Sequence, residues 1–380
     1  MINKEISVNI CGDFYLNTLS PDENYFPAEI LDIFKNSDLN IVNLECPVVN
    51  NRKNKIIKTG PNLSGSPHSF HYLKQIRTNL VTLANNHLMD FGSEGLSDTL
   101  SLCKVNSIGW VGAGMSREEA QRPYVNESGG IKISVLNFAE NEWSTTSGNK
   151  PGANPQNIVE NVRQIKKARE SSDFVIVIIH GGHEFYHLPN PGMVSRYRFF
   201  AENGASVIIA HHPHCISGFE IYHNVPVFYS IGNFLFTMRS SRESWYTGLI
   251  LNLRIREDGN MKWELIPVRQ KKDIFTLSLP DGVDKKNVLS DIDKYSGIIA
   301  DKALLEEHWE NFVKEWYDEK IDIFSPVQVF RNKKIIKLFQ KTGLNRFFRT
   351  KKHYAQMLNH MRCESLSELT RSVMMKYLEM

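Results

Sequence analysis

No Cys-x-x-C pair occurs in this chain, and its five cysteines, Cys11, Cys46, Cys103, Cys215 and Cys363, stand far apart. An odd and scattered set builds neither a disulfide framework nor a zinc ribbon. Long apolar runs are missing as well: a membrane-spanning helix needs about 18 or more consecutive apolar residues, and the chain has no such run. The opening Met1-Ile2-Asn3-Lys4-Glu5 has neither the basic start nor the long apolar core of a signal peptide, which makes the cytoplasm the expected location. Internal repeats and low-complexity tracts are absent too. Nor is there much net charge. The total is +3, and residues 331–352 hold nine Lys/Arg with no Asp/Glu; taking those nine from the total leaves −6 for the rest. The body therefore offers no basic face for a nucleic acid, and that class of partner is not expected.

What is present is an ordinary globular composition, 41% hydrophobic and 23% charged over 380 residues. That length suffices for one large domain with an appendage. From residue 5 to residue 270, strand-like apolar runs alternate with helical stretches at 26–37, 66–76, 93–106, 157–171 and 193–203. Residues 140–155, rich in Asn, Ser, Thr, Gly and Pro, read as a loop. Beyond residue 218 the texture becomes hairpin-like, with strands at 218–223, 226–231, 247–256 and 261–269 and an Asp258-Gly259 turn. Strand–helix alternation followed by hairpins predicts an α/β fold of two packed sheets with helices outside. Helical spacing in 303–317 and 354–378 predicts a helical C-terminal region, so the expected division is 1–280 and 281–380.

Five polar clusters follow apolar runs. They are Gly12-Asp13 after Ile6–Cys11, Asn43-Leu44-Glu45 after Leu39–Val42, and Asn85-Asn86-His87 after Leu80–Ala84. His180-Gly181 follows Phe174–Ile179, and His211-His212-Pro213-His214 follows Val207–Ala210. An unbroken Val/Ile/Leu run marks a strand buried on both faces, and the carboxyl ends of such strands converge on one crevice. Asp, Glu, Asn and His delivered there are oxygen and imidazole ligands for divalent metals. Singly the clusters are ordinary, since Gly-Asp makes turns and Asn or Glu caps helices. Two adjacent amides and an imidazole at a buried strand end are costly without partners, and three histidines within four residues have few structural uses. Together the five predict a metal site. Cys11, Cys46 and Cys215 lie beside these residues and read as buried fillers rather than thiolate ligands.

These motifs, with Asp90, Gly92, Gly182, Glu184 and the run Tyr229-Ser230-Ile231-Gly232-Asn233-Phe234, resemble the calcineurin-like metallophosphoesterases. Within them the chain is most similar to the branch typified by the capsule-synthesis protein CapA, over roughly residues 5–255. The resemblance implies a four-layer α-β-β-α sandwich holding two divalent cations, with manganese, iron and zinc all suited to mixed O/N ligation. It implies that Glu45 bridges the cations, Asp13 and His214 complete one site, and Asn86, His180 and His212 complete the other. His87 would face the substrate as general acid. Asp90, three residues on, either orients that ring or caps a helix start. Asn43, Asn85, Glu184, His211 and Asn233 are assigned to substrate binding. Two departures stand out. Many calcineurin-like enzymes have a histidine where this chain has Tyr15, which leaves the first site one ligand short. Gly181 replaces an aromatic and is expected to open the pocket, while Arg196 and Arg198 either clamp an anion or are solvated.

The basic stretch 331–352 interleaves its cations with Ile335, Ile336, Leu338, Phe339, Leu344, Phe347 and Phe348. It reads as a peripheral membrane or biosynthetic-complex contact, or as a helix packed on the acidic body. Two function classes follow. One is a dinuclear metal-dependent phosphoesterase-like hydrolase, acting on a phosphorylated or polyanionic substrate in capsule or cell-surface polymer synthesis. The other is a non-catalytic scaffold in the same process.

Overall fold

A computed structural model describes residues 5–17, 22–49, 52–58, 60–323, 332–344, 347, 350–362 and 374. The chain opens with β1 (Glu5–Tyr15), α1 (Ala28–Lys35), β2 (Leu39–Leu44), α2 (Ser69–Gln75), β3 (Leu80–Thr82), α3 (Gly92–Val105) and β4 (Gly109–Val111). Next come β5 (Ala113–Gly114), α4 (Arg117–Gln121), β6 (Tyr124–Ser128), β7 (Ile131–Ala139), β8 (Gly152–Ala153), α5 (Ile158–Ser171) and β9 (Phe174–His180). They are followed by α6 (Pro191–Glu202), β10 (Val207–His211), β11 (Phe219–Tyr222), β12 (Val225–Phe228) and β13 (Asn233–Phe236). A hairpin of β14 (Thr247–Arg256) and β15 (Met261–Gln270) leads to β16 (Leu277–Ser278) and α7 (Gly282–Ala300).

Two large sheets result. One runs β16-β15-β14-β1-β2-β3-β4 with β13 also paired to β1; the other runs β11-β12-β10-β9-β7-β6. The alternation within β9 explains their stacking. Phe174, Ile176 and Ile178 enter a core shared with Ile6, Val8 and Ile10 of β1, between the sheets. Val175, Val177 and Ile179 face the other way, onto Ile165 of α5 and Met193, Tyr197 and Phe200 of α6. The outer face of the first sheet is covered by α1, α2 and α3 through Ile30, Phe34, Phe70, Leu73 and Leu96. A strand buried on both faces has no polar side to show, which is why its sequence is an unbroken apolar run. The four layers expected from the resemblance are thus formed.

A buried amide ladder fastens α1 to its sheet. Asn9 donates to the Ile33 carbonyl at 3.1 Å and to Asn40 Oδ1 at 3.0 Å, and Asn40 donates to the Phe34 carbonyl at 3.1 Å. These satisfy carbonyls that the last helical turn leaves without partners.

Several short elements, β4, β5, α4, β6, β8, β13 and β16, escaped the sequence reading, and of these β13 bears on the site. The 226–231 run ends its strand at Phe228, and the Gly232-Asn233-Phe234 motif opens a new strand, β13, parallel to β1. Glycine and asparagine favour turns, and a strand of four residues behind them leaves little periodicity to read. Gly12 makes this pairing possible: a Cβ there would stand 2.0 Å from the Gly232 carbonyl oxygen, so no other residue admits β13 so close.

The first compact unit spans Met1–Glu306. It includes α7, whose Val288 and Ile292 join the inter-sheet core. The second unit, Glu307–Met380, holds most of α8 (Lys302–Ile323), then α9 (Lys333–Thr342) and α10 (Lys351–Arg362). On α9, Ile335 and Leu338 are exposed. Arg331, Arg346, Phe348 and Arg349 of the basic stretch, and most of 363–378, lie outside the described residues. No helix among the described residues is long and apolar enough to cross a membrane.

Candidate metal centre

Both sheets turn their carboxyl ends to one place. The first sheet delivers Asp13, Asn43, Glu45, Asn86 and His87 from β1, β2 and the end of β3; the second delivers His180, His211, His212 and His214 from β9 and β10. The backbone bends to do so. His212 and His214 sit at φ of 97° and 54°, left-handed values that L-residues with bulky side chains rarely adopt and that concentrate at functional sites.

Two ligand groups form, and Glu45 belongs to both. Asp13, Glu45 and His214 make one; Glu45, His180 and His212 make the other, with ligand atoms in each group within 4.8 Å of one another. In the first, His214 Nδ1 is 3.3 Å from Asp13 Oδ2 and its Nε2 is 3.4 Å from Glu45 Oε1. In the second, His180 Nε2 stands 3.1 Å from Asn86 Oδ1, 3.2 Å from His212 Nδ1 and 3.7 Å from Glu45 Oε1. All six ligands expected from the sequence therefore gather here.

The donor set fits divalent cations. Glu45 has no exposed surface, and neither of its carboxylate oxygens has a hydrogen-bond partner. Buried carboxylates are normally paired or bound to a metal. The nearest nitrogens, His214 Nε2 at 3.4 Å and His180 Nε2 at 3.7 Å from Oε1, make no hydrogen bond to it. Burial, and then the negative charge of Asp13, push the Glu45 carboxyl well above the usual range. Asp13 goes the other way: burial would raise it, but the imidazoles of His211 and His214 outweigh burial and hold it well below its ordinary value. Burial, then the charge of His212, keeps His180 well below the usual imidazole range. Burial, then His214, lowers His212 to about 3. Neutral imidazoles are the form that binds metal.

That depression has a measurable consequence for the metal-free protein. Between pH 6.5 and about 3 the unfolded chain takes up a proton that folded His212 refuses. Its contribution is intact above pH 6.5 and is lost as pH falls through the window, at up to ~1.4 kcal/mol per pH unit. Urea unfolding with chelator at pH 7, 6 and 5 should show a steeper loss for the parent chain than for His212→Asn. Equal slopes would remove His212 as the source.

His87 stands apart from both groups. Its Nδ1 lies 2.6 Å from Asp90 Oδ2, so Asp90 orients the ring rather than capping α3, whose N-cap is Phe91. Burial lowers the His87 pKa against the opposing pull of Asp90. The residues assigned to substrate binding have mostly other work. Asn43 donates to Asp13 Oδ1 at 2.6 Å, contacts His180 Nδ1 at 3.3 Å and accepts from Thr82 Oγ1 at 3.0 Å. Asn85 donates to the Leu44 and Leu83 carbonyls and accepts from His87 N. His211 is buried with Nδ1 3.3 Å from Asp13 Oδ1. Only Glu184 is exposed, its charge felt at Glu45 and His214.

Asn233 backs His214: its Oδ1 is 2.9 Å from Nδ1, while its Nδ2 is anchored on the Trp245 carbonyl at 3.0 Å. Orienting partners of this kind carry ~10–100-fold of metal affinity. Asn233→Ala should weaken manganese binding at the Asp13–Glu45–His214 group by that factor and change binding at the Glu45–His180–His212 group little, read by competition with a chelating dye. Two unchanged affinities would contradict the orienting role.

The departures resolve as follows. Tyr15 is buried in an aromatic cluster with Phe236, Trp245 and Tyr246, and burial pushes its hydroxyl up to about 12. Gly181 does not open the pocket, because Glu140 fills the space a side chain would take, its Cγ 2.5 Å from the ideal Cβ. Arg196 pairs with that Glu140 at 3.3 Å, and Arg198 holds Glu220 with Nη2 at 2.6 Å. Both arginines are thus engaged by protein carboxylates. Cys11, Cys46 and Cys215 are fully buried, and burial raises all three thiols. None joins a ligand group among the described residues. Sequence reasoning missed Lys58, whose Nζ reaches Asp90, and Ser144, whose Oγ bridges the Asn86 carbonyl and the Met89 N–H. Lys58 is one of three lysines in seven residues, and nothing local distinguishes it.

Comparison with known proteins gives a family match over residues 7–238 to the model described as bacterial capsule synthesis protein PGA_cap. The chain is 26% identical over 280 residues to the capsule biosynthesis protein CapA of Bacillus anthracis, covering 70% of this chain and 68% of that one. It is 27% identical over 267 residues to the PGA biosynthesis protein CapA of Bacillus subtilis, covering 70% of each. Among solved structures it is similar to a phosphatase from Mycoplasma pneumoniae, with TM-score 0.45, 18% identity, and 72% and 97% of the two chains covered.

Proposed function

The chain belongs to the bacterial capsule synthesis protein family PGA_cap, and on that footing we propose that it is a metal-dependent hydrolase of phosphoester or related bonds in capsule or cell-surface polymer synthesis. The observation that carries this reading is Glu45: a buried carboxylate, unpartnered on both oxygens and common to two ligand groups. Asp13 and His214 would hold one cation with it, and Asn86, His180 and His212 the other. When bound, the cations supply Lewis acidity, acidifying water and drawing charge from a phosphoryl group. The chain's own residues do the rest. Asn43 steadies Asp13 and His180 together, Asn233 steadies His214, and His87 gives a proton to the departing oxygen. The substrate class proposed is a phosphorylated or polyanionic intermediate of polymer synthesis, in keeping with the two Bacillus relatives, a capsule biosynthesis protein and a PGA biosynthesis protein.

Elemental analysis of protein purified without chelator and supplied with manganese tests the centre. About two metals per chain, with hydrolysis of p-nitrophenyl phosphate or its diester, supports the reading. Absence of metal would shift the function to the second reading, a non-catalytic part of the polymer-synthesis apparatus. Tyr15 is the observation in favour of that alternative, since a buried phenol stands where many calcineurin-like enzymes place an imidazole.

A further inference from the structure

Lys58 lies between β2 and α2 with 3% of its side chain exposed. Its Nζ donates to Asp90 Oδ1 at 2.5 Å and stands 3.1 Å from His87 Nδ1. Asp90, whose side chain has no exposed surface, accepts a hydrogen bond from the Leu63 N–H on Oδ2 at 2.6 Å, and the same oxygen lies 2.6 Å from His87 Nδ1. The segment carrying Lys58 is also tied to the Asp90 carbonyl by Ile56 N and Asn62 Nδ2, both at 3.0 Å.

A buried ammonium is costly, and fastening this segment does not require one, because neutral hydrogen bonds already do so. What Lys58 adds is a full positive charge on the Asp90 oxygen that His87 does not touch. An ionised carboxylate only accepts hydrogen bonds. With Oδ1 held by Lys58 and Oδ2 by Leu63, the carboxylate is locked in plane and demands a proton on His87 Nδ1. Nε2 is then the ring nitrogen with no hydrogen bond to protein among the described residues.

We propose that Lys58 is a positioning residue: by clamping Asp90 it fixes the plane and tautomer of His87, so that Nε2 meets the leaving-group oxygen. This rests on the proposed role of His87 as proton donor. As the P–O bond to the leaving group breaks, its electron pair stays on that oxygen and takes the proton from Nε2. The attacking water forms the new P–O bond and releases a proton to solvent, from which the ring is later recharged. The neutral ring keeps its remaining proton on Nδ1, where Asp90 holds it.

The test compares Lys58→Met and Lys58→Arg in the metal-loaded full chain, with Lys58→Gln replacing the first should it not fold. A proton donor matters most for a poor leaving group. Lys58→Met should lower kcat on phenyl phosphate by ~30-fold and on p-nitrophenyl phosphate by less than ~3-fold, with KM and metal content unchanged and Lys58→Arg recovering most of the loss. In a His87→Ala background Lys58→Met should cost nothing further. Equal losses on both substrates, or an added loss in that background, overturn the proposal. A second measurement does not use turnover. Long-range proton–nitrogen-15 spectra of the zinc-loaded chain, with His87 assigned by its disappearance in His87→Ala, should place the parent proton on Nδ1. Lys58→Met should average it over both nitrogens, and Lys58→Arg should return it. An unchanged spectrum overturns the clamp whatever the activity. A spectrum that responds, in a chain that hydrolyses neither substrate, supports the clamp and sinks the hydrolase reading instead.

Discussion

Glu45→Gln should strip metal from the protein and yet make the metal-free protein harder to melt. In the folded chain Glu45 has two oxygens without partners, no exposed surface, and Asp13 beside it pushing its carboxyl up. Without cations this is an unfavourable place for an acid. An amide of the same shape carries no charge and brings two donors to a pocket crowded with acceptors. Relief of about 1–2 kcal/mol is expected, a rise of a few degrees in Tm for a domain of this size. The loaded protein should reverse the order. Parent chain gains stability from every bound cation, whereas the variant loses the one residue that both ligand groups share. Metal content should fall from about two per chain to below one, and turnover by at least about a thousandfold, a transition-state cost of ~4 kcal/mol. Calorimetry with and without chelator reads the two stabilities, elemental analysis the metal content, and a phosphatase assay the turnover. A variant that keeps two metals and parent turnover would show that Glu45 bridges nothing.

His87→Ala separates chemistry from metal binding. Its Nδ1 is held by Asp90 at 2.6 Å and it belongs to neither ligand group. Truncation should leave two metals in place and lower turnover by ~10²–10⁴-fold, the usual worth of a positioned proton donor. Phenyl phosphate should suffer more than p-nitrophenyl phosphate, because nitrophenolate departs without protonation. Loss of metal would make His87 a ligand. Retained turnover on phenyl phosphate would leave proton donation to another group.

Much of this centre is legible in the sequence. Doubly buried strands leave unbroken apolar runs, and a polar residue just past such a run has a known destination, so the five clusters could be placed by position, while the choice of Asp13, Glu45, Asn86, His180, His212 and His214 within them came from the family resemblance. What stayed hidden were partners distant in sequence. Asn43 meets His180 across 137 residues, and Asn233 meets His214 only because β13 pairs with β1. Both amides sit in motifs near ligands, and assigning them to substrate was a reading of proximity; the side chains face the ligands instead. Glu140 was invisible for a related reason. It fills the hollow beside Gly181 from another strand's end, so the missing aromatic left no opening. Lys58 was lost among neighbouring lysines, because only burial distinguishes it.

The pairing of β1 with three strands bears on how the chain comes into being. Glu5 lies opposite Arg256, and Asp13 opposite Asn233. At ribosomal speeds, roughly 10–40 s separate the making of Asp13 from that of His214. For most of that interval the emerging polypeptide has its carboxylates and amides but not yet His180, His212 and His214, the imidazoles that complete the two ligand groups, and its first strand waits with one edge unpaired. Cations met early find only weak oxygen donors. Capture of a cation by these groups would therefore come late in biogenesis, after His214 has been made, with the hairpin at 247–270 still to close on the opening strand.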